Sequence, residues 1–440
     1  MIADKLFYKD PKEKFFCSYS QLLQDIRESQ TFYPFCKSRS YYDIFKNIIL
    51  SLLSGKEIIL LDSDFSDSEV EKLIGNLSAL EKTESVCVSE GLSEQNLIES
   101  LKQGASSWKI TLFTSGTTGL PKKVSHTFES ITRFVRGGEK HQDDIWGFAY
   151  NPTHMAGLQV FFQALLNQNP MIRLFGLDKV SIIREIKLNG ITNISATPTF
   201  YRLLLPPEDI CPSVLRITSG GEKFDGHALS LLQGMFPNAR ITNVYASTEA
   251  GTLFAAKGNE FILKEAMKHL VKVENNELFL HKSLMGESSN LKIESDWYAT
   301  GDLIAVTNLD PFTFCFVSRK NEMINVGGYK VNPIEVEETV RLCAGVLDVS
   351  VYAKKNSILG NIVCCEIVRE SEDVTELSIR EFLRNKLQEF KIPRFMKFVD
   401  KLQTGPVRYQ EIKIYGKKEY FSDRGFKGAW HSTCQIPVGR

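Results

Sequence analysis

The sequence predicts a mixed α/β protein in two parts: a large amino-terminal domain of mixed sheets and helices with a β-rich subdomain, then a small carboxy-terminal α/β domain. Three observations carry this. The chain has 440 residues, more than one hydrophobic core usually organises. Helix-like and strand-like apolar runs alternate from about 42 to 245. After about 255 the texture changes to short strands with polar breaks, and past 319 a small α/β unit follows.

Taken in order, 42–53 reads as a buried helix stopped by Gly55, and 57–61 as a strand. Val70, Leu73, Ile74 and Leu77 keep helical spacing, so 67–80 is predicted helical. Residues 86–88 and 108–113 are predicted strands. Then come helix 161–166, strand 171–175, helix 180–188 and strand 194–196. Strand 215–218 leads into Gly220-Gly221, followed by helix 227–235 and strand 241–245. This alternation favours a sheet with helices on both faces. Strands 261–263, 277–280, 304–306 and 312–317 make the β-rich part. Helix 335–341, strands 346–351 and 361–368 and helix 377–387 make the last unit, with a boundary near 319–322. The expected domains are 1–320 and 321–420, with a tail at 421–440 that has no clear period.

Composition narrows the function classes. Lys plus Arg equals Asp plus Glu at 53 each, so no single-sign field points to nucleic acid or an anionic membrane as partner. The nine cysteines form no CxxC and no zinc spacing, which reads as reduced thiols in a cytoplasmic protein. The amino-terminal segment has no apolar signal core. The most apolar stretch, 44–61, is broken by Lys46, Lys56 and Glu57, so no membrane span is expected.

The segment 113–127 reads FTSGTTGLPKKVSHT. Glycine lets backbone N–H groups converge on a phosphate, Ser and Thr add donors, and Lys122 adds charge. The spacing is not that of a Walker A loop. An exposed flexible loop is the competing reading of so many small residues.

The string Thr114-Ser115-Gly116-Thr117-Thr118-Gly119-Leu120-Pro121-Lys122 closely resembles the phosphate-binding signature of the adenylate-forming superfamily: acyl- and aryl-CoA ligases, peptide-synthetase adenylation domains and luciferases. Lys123 stands where that signature usually has Gly. Further motifs follow in order. Ser219-Gly220-Gly221-Glu222 resembles the segment whose backbone lies against adenine. Tyr245-Ala246-Ser247-Thr248-Glu249 is similar to the segment whose aromatic stacks on adenine, whose Thr contacts phosphate and whose Glu holds Mg²⁺. By residue type alone, Ser247 or Thr248 also suits a helix N-cap. Tyr298 to Leu303 matches the segment in which Asp302 would accept from the ribose hydroxyls. Ser318 to Lys330 resembles the family stretch by which Arg319 would reach the ribose and Gly327-Gly328 would let backbone approach a pantetheine arm. The resemblance covers roughly 40–417 and is weakest at its amino-terminal end.

The resemblance implies ATP-dependent activation of a carboxylic acid as its adenylate, then transfer to a thiol, with ATP, Mg²⁺ and CoA as cofactors. It also implies that the small carboxy-terminal domain is mobile. The family's hinge Asp is Asn321 here. Two alignments compete for the catalytic lysine. One, anchored on Thr404-Gly405, puts Pro406 at that position; the other puts Lys413 there and is favoured. Tyr150 to Gly157 resembles the PxxHxxG segment that lines the acyl pocket, assigning His154, Met155 and Gly157 to substrate; a hydrogen-bonded loop histidine is the plainer alternative. No acidic residue lies at 150–166, which disfavours an α-amino acid substrate, because a buried ammonium needs a counter-ion. Only about 110 residues precede the phosphate loop, which argues against a long fatty-acyl tunnel. An aryl or short-to-medium acyl acid is expected, with CoA as acceptor. The alternatives are the phosphopantetheine of a separate carrier protein, or an impaired nucleotide- or acid-binding sensor.

Overall fold

The computed structural model describes residues 4–402, apart from 115–120, 221–225, 257, 289–290, 292, 327–328 and 357–359. The chain divides into two compact units, Met1–Met323 and the residues from Ile324 on.

In the first unit an eight-stranded sheet runs, from one edge, Gly251–Ala256, Arg240–Ser247, Arg216–Gly220, Asn193–Ala196, Trp146–Phe148, Met171–Arg173, Leu6–Asp10 and Phe15–Ser18. Six central strands are parallel and both edge strands antiparallel. Helices Lys179–Asn189, Pro198–Leu203 and Gly226–Met235 accompany one apolar cluster that includes Ile182, Ile186, Tyr201, Leu232 and Ile217. Helices Tyr41–Ser54 and Met155–Leu166 belong to another, where Phe45 stacks on Phe161 at 4.7 Å and Phe162 meets Trp108 edge-on. Helix Tyr41–Ser54 is bounded as its sequence dictates. Ser40 accepts from the Asp43 N–H at its start, and Gly55 is left-handed (φ +68°) at its end.

A four-stranded sheet, Phe35–Cys36, Ile58–Leu60, Lys109–Thr114 and Lys122–Thr127, carries the phosphate-loop motif. Its last two strands pair antiparallel from Lys109↔Thr127 to Thr114↔Lys122, so the Gly/Ser/Thr string joins two hairpin strands. Trp108 anchors the entry: its buried indole N–H donates to Ser51 at 2.9 Å. The β-rich part is a six-stranded antiparallel sheet built on strands Trp297–Leu309 and Phe312–Arg319.

The second unit has a five-stranded sheet and helices Pro333–Arg341 and Glu376–Arg384 around its own core of Val336, Val351, Val363, Ile379 and Leu383.

Some expectations are corrected. The expected helix over 67–80 ends at Ile74, where left-handed Gly75 (φ +83°) stops it, and a 3₁₀ turn covers Leu77–Glu81. The local strand is Glu84–Ser85 rather than 86–88, because it pairs with Thr31–Phe32. Helix Met155–Leu166 starts six residues before the expected 161, since Gly157 gave its first turn a loop-like composition.

Candidate active site

Three motif segments follow the carboxyl ends of parallel strands in one sheet. Residues 150–157 follow Trp146–Phe148, Gly220 ends Arg216–Gly220, and Thr248-Glu249 follows Arg240–Ser247. Crevices at such strand ends are where open α/β sheets bind ligands. Gly220 is required for the packing here: a Cβ would lie 2.6 Å from Val244 Cγ2, on the neighbouring strand.

Tyr245, Ala246 and Ser247 finish their strand, and Thr248-Glu249 sits in the turn to Gly251–Ala256. This is a hairpin turn, not a helix N-cap. Ser247 Oγ accepts from the Ala250 N–H at 3.2 Å, and Gly251 takes a left-handed φ of +68°. Antiparallel pairing with the edge strand decides the outcome.

Tyr245 stacks on Phe316 at 4.2 Å, with Phe254 in a near-parallel arrangement at 5.7 Å. Its hydroxyl donates to Asp302 Oδ2 at 2.5 Å, while Arg319 Nε donates to Asp302 Oδ1 at 2.9 Å. Asp302 and Arg319 are direct cross-strand partners, so the hairpin itself creates the pair. Burial pushes the Asp302 carboxyl up from its ordinary value, against the pull of Arg319 and the Tyr245 hydroxyl. The Tyr245 phenol is raised well above its usual range, first by burial and then by the Asp302 charge.

The turn is tied to other segments. His126, buried on strand Lys122–Thr127, places Nε2 2.7 Å from the Thr248 carbonyl and Nδ1 2.9 Å from Ser130 Oγ. The Glu249 carbonyl accepts from the Gly286 N–H at 2.6 Å. Burial lowers the His126 pKa from its ordinary value, more strongly than the Thr248 hydrogen bond raises it. His126 lies inside the quoted 113–127 string, yet nothing local distinguishes it from any other strand histidine.

His154 is the N-cap residue of helix Met155–Leu166 and is well exposed. Its Nε2 lies 3.1 Å from Asp62 Oδ2, which also accepts from Asn151 Nδ2 at 2.9 Å. The His154 hydrogen bond, more than burial opposes it, holds the Asp62 carboxyl below its usual range. Sequence reading missed Asp62. The carboxylate absent from 150–166 arrives from beyond the strand Ile58–Leu60, and only the fold brings it there. Met155 is buried, and Gly157 lets the helix close on its own loop: a Cβ would lie 2.3 Å from the Asn151 carbonyl.

Thr114 closes its strand opposite Lys122, which is half-buried. Ser115, Gly116, Thr117, Thr118, Gly119, Gly221, Glu222, Gly327, Gly328, Pro406 and Lys413 lie outside the described residues. Among the described residues no three His, Cys, Asp or Glu side chains gather into a metal cage. Glu249 as a single carboxylate suits a Mg²⁺ ion that arrives with phosphate oxygens and keeps several waters.

Known proteins resemble this chain over most of its length. The model of the AMP-binding enzyme family matches residues 54–271, and that of the AMP-binding enzyme C-terminal domain matches 335–405. A 2-succinylbenzoate–CoA ligase of Bacillus licheniformis is 26% identical over 323 residues, 66% of either chain. The Bacillus subtilis 2-succinylbenzoate–CoA ligase is 25% identical over 385 residues, covering 79% of this chain and 75% of that one. A 4-hydroxybutyrate–CoA ligase of Metallosphaera sedula is 25% identical over 350 residues, 69% of this chain and 61% of its own. The first and third of these matches therefore span slightly less than two thirds of the relative's length. Among solved structures, Bacillus subtilis o-succinylbenzoate CoA synthetase in complex with its acyl-adenylate intermediate superposes with a TM-score of 0.67 at 17% identity, covering 92% of this chain and 93% of that one. ATP-bound MatB from Rhodopseudomonas palustris gives 0.69 at 16% identity, covering 92% and 94%. These two structures share the fold. The chain belongs to the AMP-binding enzyme family, within the adenylate-forming superfamily.

Proposed function

We propose that the protein activates a carboxylic acid with ATP and passes the acyl group to a thiol. In the first half a carboxylate oxygen bonds to the α-phosphorus, the bond to the β-phosphate breaks, and pyrophosphate leaves. In the second a thiol loses its proton and attacks the acyl carbon, and AMP leaves. One observation carries the reading: Tyr245 shares a hydrogen-bonded group with Asp302 and Arg319 and shortly precedes, in sequence, the turn of Thr248-Glu249 that His126 ties to the strand beginning at Lys122.

In this reading residues 114–119 and Lys122 hold the triphosphate, and Gly220, Gly221, Glu222, Tyr245, Ala246 and Ser247 border the adenine. Asp302 and Arg319 hold the ribose. Thr248 contacts phosphate, and Glu249 holds Mg²⁺, which neutralises developing phosphate charge when bound. His154, Met155 and Gly157 shape the acyl side, and Gly327-Gly328 the thiol side. Lys413 on a mobile unit of 321–420 neutralises the transition state of the first half. An aryl or short-to-medium acyl acid and CoA are the favoured substrates, which agrees with the names of the relatives above. A cytoplasmic location fits the described cysteines, all free thiols, and the fact that no described helix is long and apolar enough to cross a membrane.

ATP–pyrophosphate exchange over a panel including 2-succinylbenzoate, 4-hydroxybutyrate and benzoate tests the reading; no acid-dependent exchange would refute it. Turnover with CoA, then with a phosphopantetheinylated carrier protein, separates the acceptors. Lys413→Ala is expected to cut exchange at least ~100-fold, about 2.7 kcal/mol of barrier. It should leave thioester formation from preformed adenylate nearly intact.

A further inference from the structure

We infer that His126 and Gly286 form a backbone clamp that positions Thr248 and Glu249, with His126 as a positioning residue for the metal-bearing turn; the inference rests on the function proposed above. A carbonyl oxygen can only accept, so the 2.7 Å contact with Thr248 places a proton on His126 Nε2. In the neutral ring, Nδ1 then accepts from the Ser130 hydroxyl at 2.9 Å. The ring is 1% exposed and both nitrogens have partners, so its orientation is fixed.

The next carbonyl in the chain, that of Glu249, is held from another direction. Gly286 N–H donates to it at 2.6 Å. Gly286 has no room for a side chain: a Cβ would lie 2.6 Å from His126 Cε1, 2.8 Å from Nε2 and 2.9 Å from the Ser125 carbonyl. Ser125 and Glu287 exchange two backbone hydrogen bonds, at 2.9 and 2.8 Å. The histidine strand and the glycine segment therefore close on each other, and two successive carbonyls of the turn are captured between them. Fixing both carbonyl directions limits the backbone torsions of Thr248 and Glu249, which set where their side chains point. The strand that carries His126 is also the return strand of the phosphate-loop hairpin. The Thr248-Glu249 turn is thereby tied to the strand that begins at Lys122.

A merely structural buried histidine predicts lost stability alone. The clamp predicts more. His126→Leu keeps bulk but removes both hydrogen bonds, whereas His126→Gln keeps an N–H able to reach the Thr248 carbonyl. Amide hydrogen exchange over 248–251 is expected to speed up at least tenfold in His126→Leu and to return most of the way in His126→Gln, with the rest of the sheet unchanged. With ATP present, Mn²⁺ affinity read by electron paramagnetic resonance should fall about tenfold in His126→Leu, and exchange kcat should fall with it. Ser130→Ala, which only frees the ring, should give a smaller shift in the same direction if His126→Leu fails to fold. Unchanged amide exchange at 248–251 and unchanged Mn²⁺ affinity in a folded His126→Leu protein would overturn the clamp. Failure of the wild-type protein to catalyse exchange with any acid would instead sink the functional reading and leave the amide-exchange result to judge the clamp.

Discussion

Asp302 shows how a residue can be kept against its own stability interest. It is 5% exposed, and burial disfavours its charge more than its partners restore it. Arg319 is largely exposed, so its ion pair acts through water and contributes at most about 1 kcal/mol. The carboxyl's folded pKa is raised, so the ionised form costs stability above that pKa and the cost disappears as pH falls below the unfolded value. Asp302→Asn is therefore expected to melt at or above the wild-type temperature near pH 7.5, while KM for ATP rises at least tenfold. Calorimetry and exchange kinetics on the same preparation check both halves. His126 has the opposite sign of charge. Its folded pKa is lowered, so between that value and the free-imidazole value of about 6.5 the unfolded chain binds more protons. Its contribution to stability grows as pH rises through that window and is level above it. Urea unfolding from pH 5 to 7 should show a steeper rise in wild type than in His126→Gln; equal slopes would mean His126 is not held neutral.

At the scale of elements, close approach of backbones sets the site. The first turn of helix Met155–Leu166 rests on the Asn151 carbonyl at the one place where a Cβ is missing. Gly157→Ala has to push backbone away from backbone, at an expected cost of about 1–3 kcal/mol, read as a drop in the urea midpoint. Asn151 would shift with it and release Asp62 and His154, so the loss of exchange activity should exceed what the unfolded fraction explains. Much at this scale was legible in the sequence. Gly55 marks the end of Tyr41–Ser54, and the sequence places a helix at 180–188, within Lys179–Asn189. Illegible were the short strands Phe35–Cys36 and Trp146–Phe148 and the amino-terminal hairpin Leu6–Asp10 and Phe15–Ser18. Two to five residues show too little periodicity, and such strands exist because a distant neighbour pairs with them.

For the whole molecule, each unit has its own apolar clusters, and every described motif residue of the nucleotide group lies within Met1–Met323. Lys413 lies in the other unit's stretch of chain. A protein ending at residue 323 is therefore expected to keep cooperative unfolding and nucleotide affinity within about tenfold of wild type, while acid-dependent exchange falls at least about 100-fold. Equilibrium ATP binding and exchange assays distinguish this from a truncated chain that simply fails to fold. Exchange surviving in the truncated protein would remove the carboxy-terminal unit from the first half-reaction.

By itself the sequence determined the α/β class and the texture change after the first sheet, because local spacing encodes them; the nucleotide motifs were legible through their resemblance to a known family. Tertiary structure alone decided that the Thr248-Glu249 turn is a hairpin, that Asp62 meets His154, and that His126 and Gly286 close on that turn. Each of those contacts joins residues dozens to more than a hundred positions apart, or depends on which strand lies at the sheet edge. Nothing within a local window of sequence specifies distances of that kind; only the packing of whole elements does.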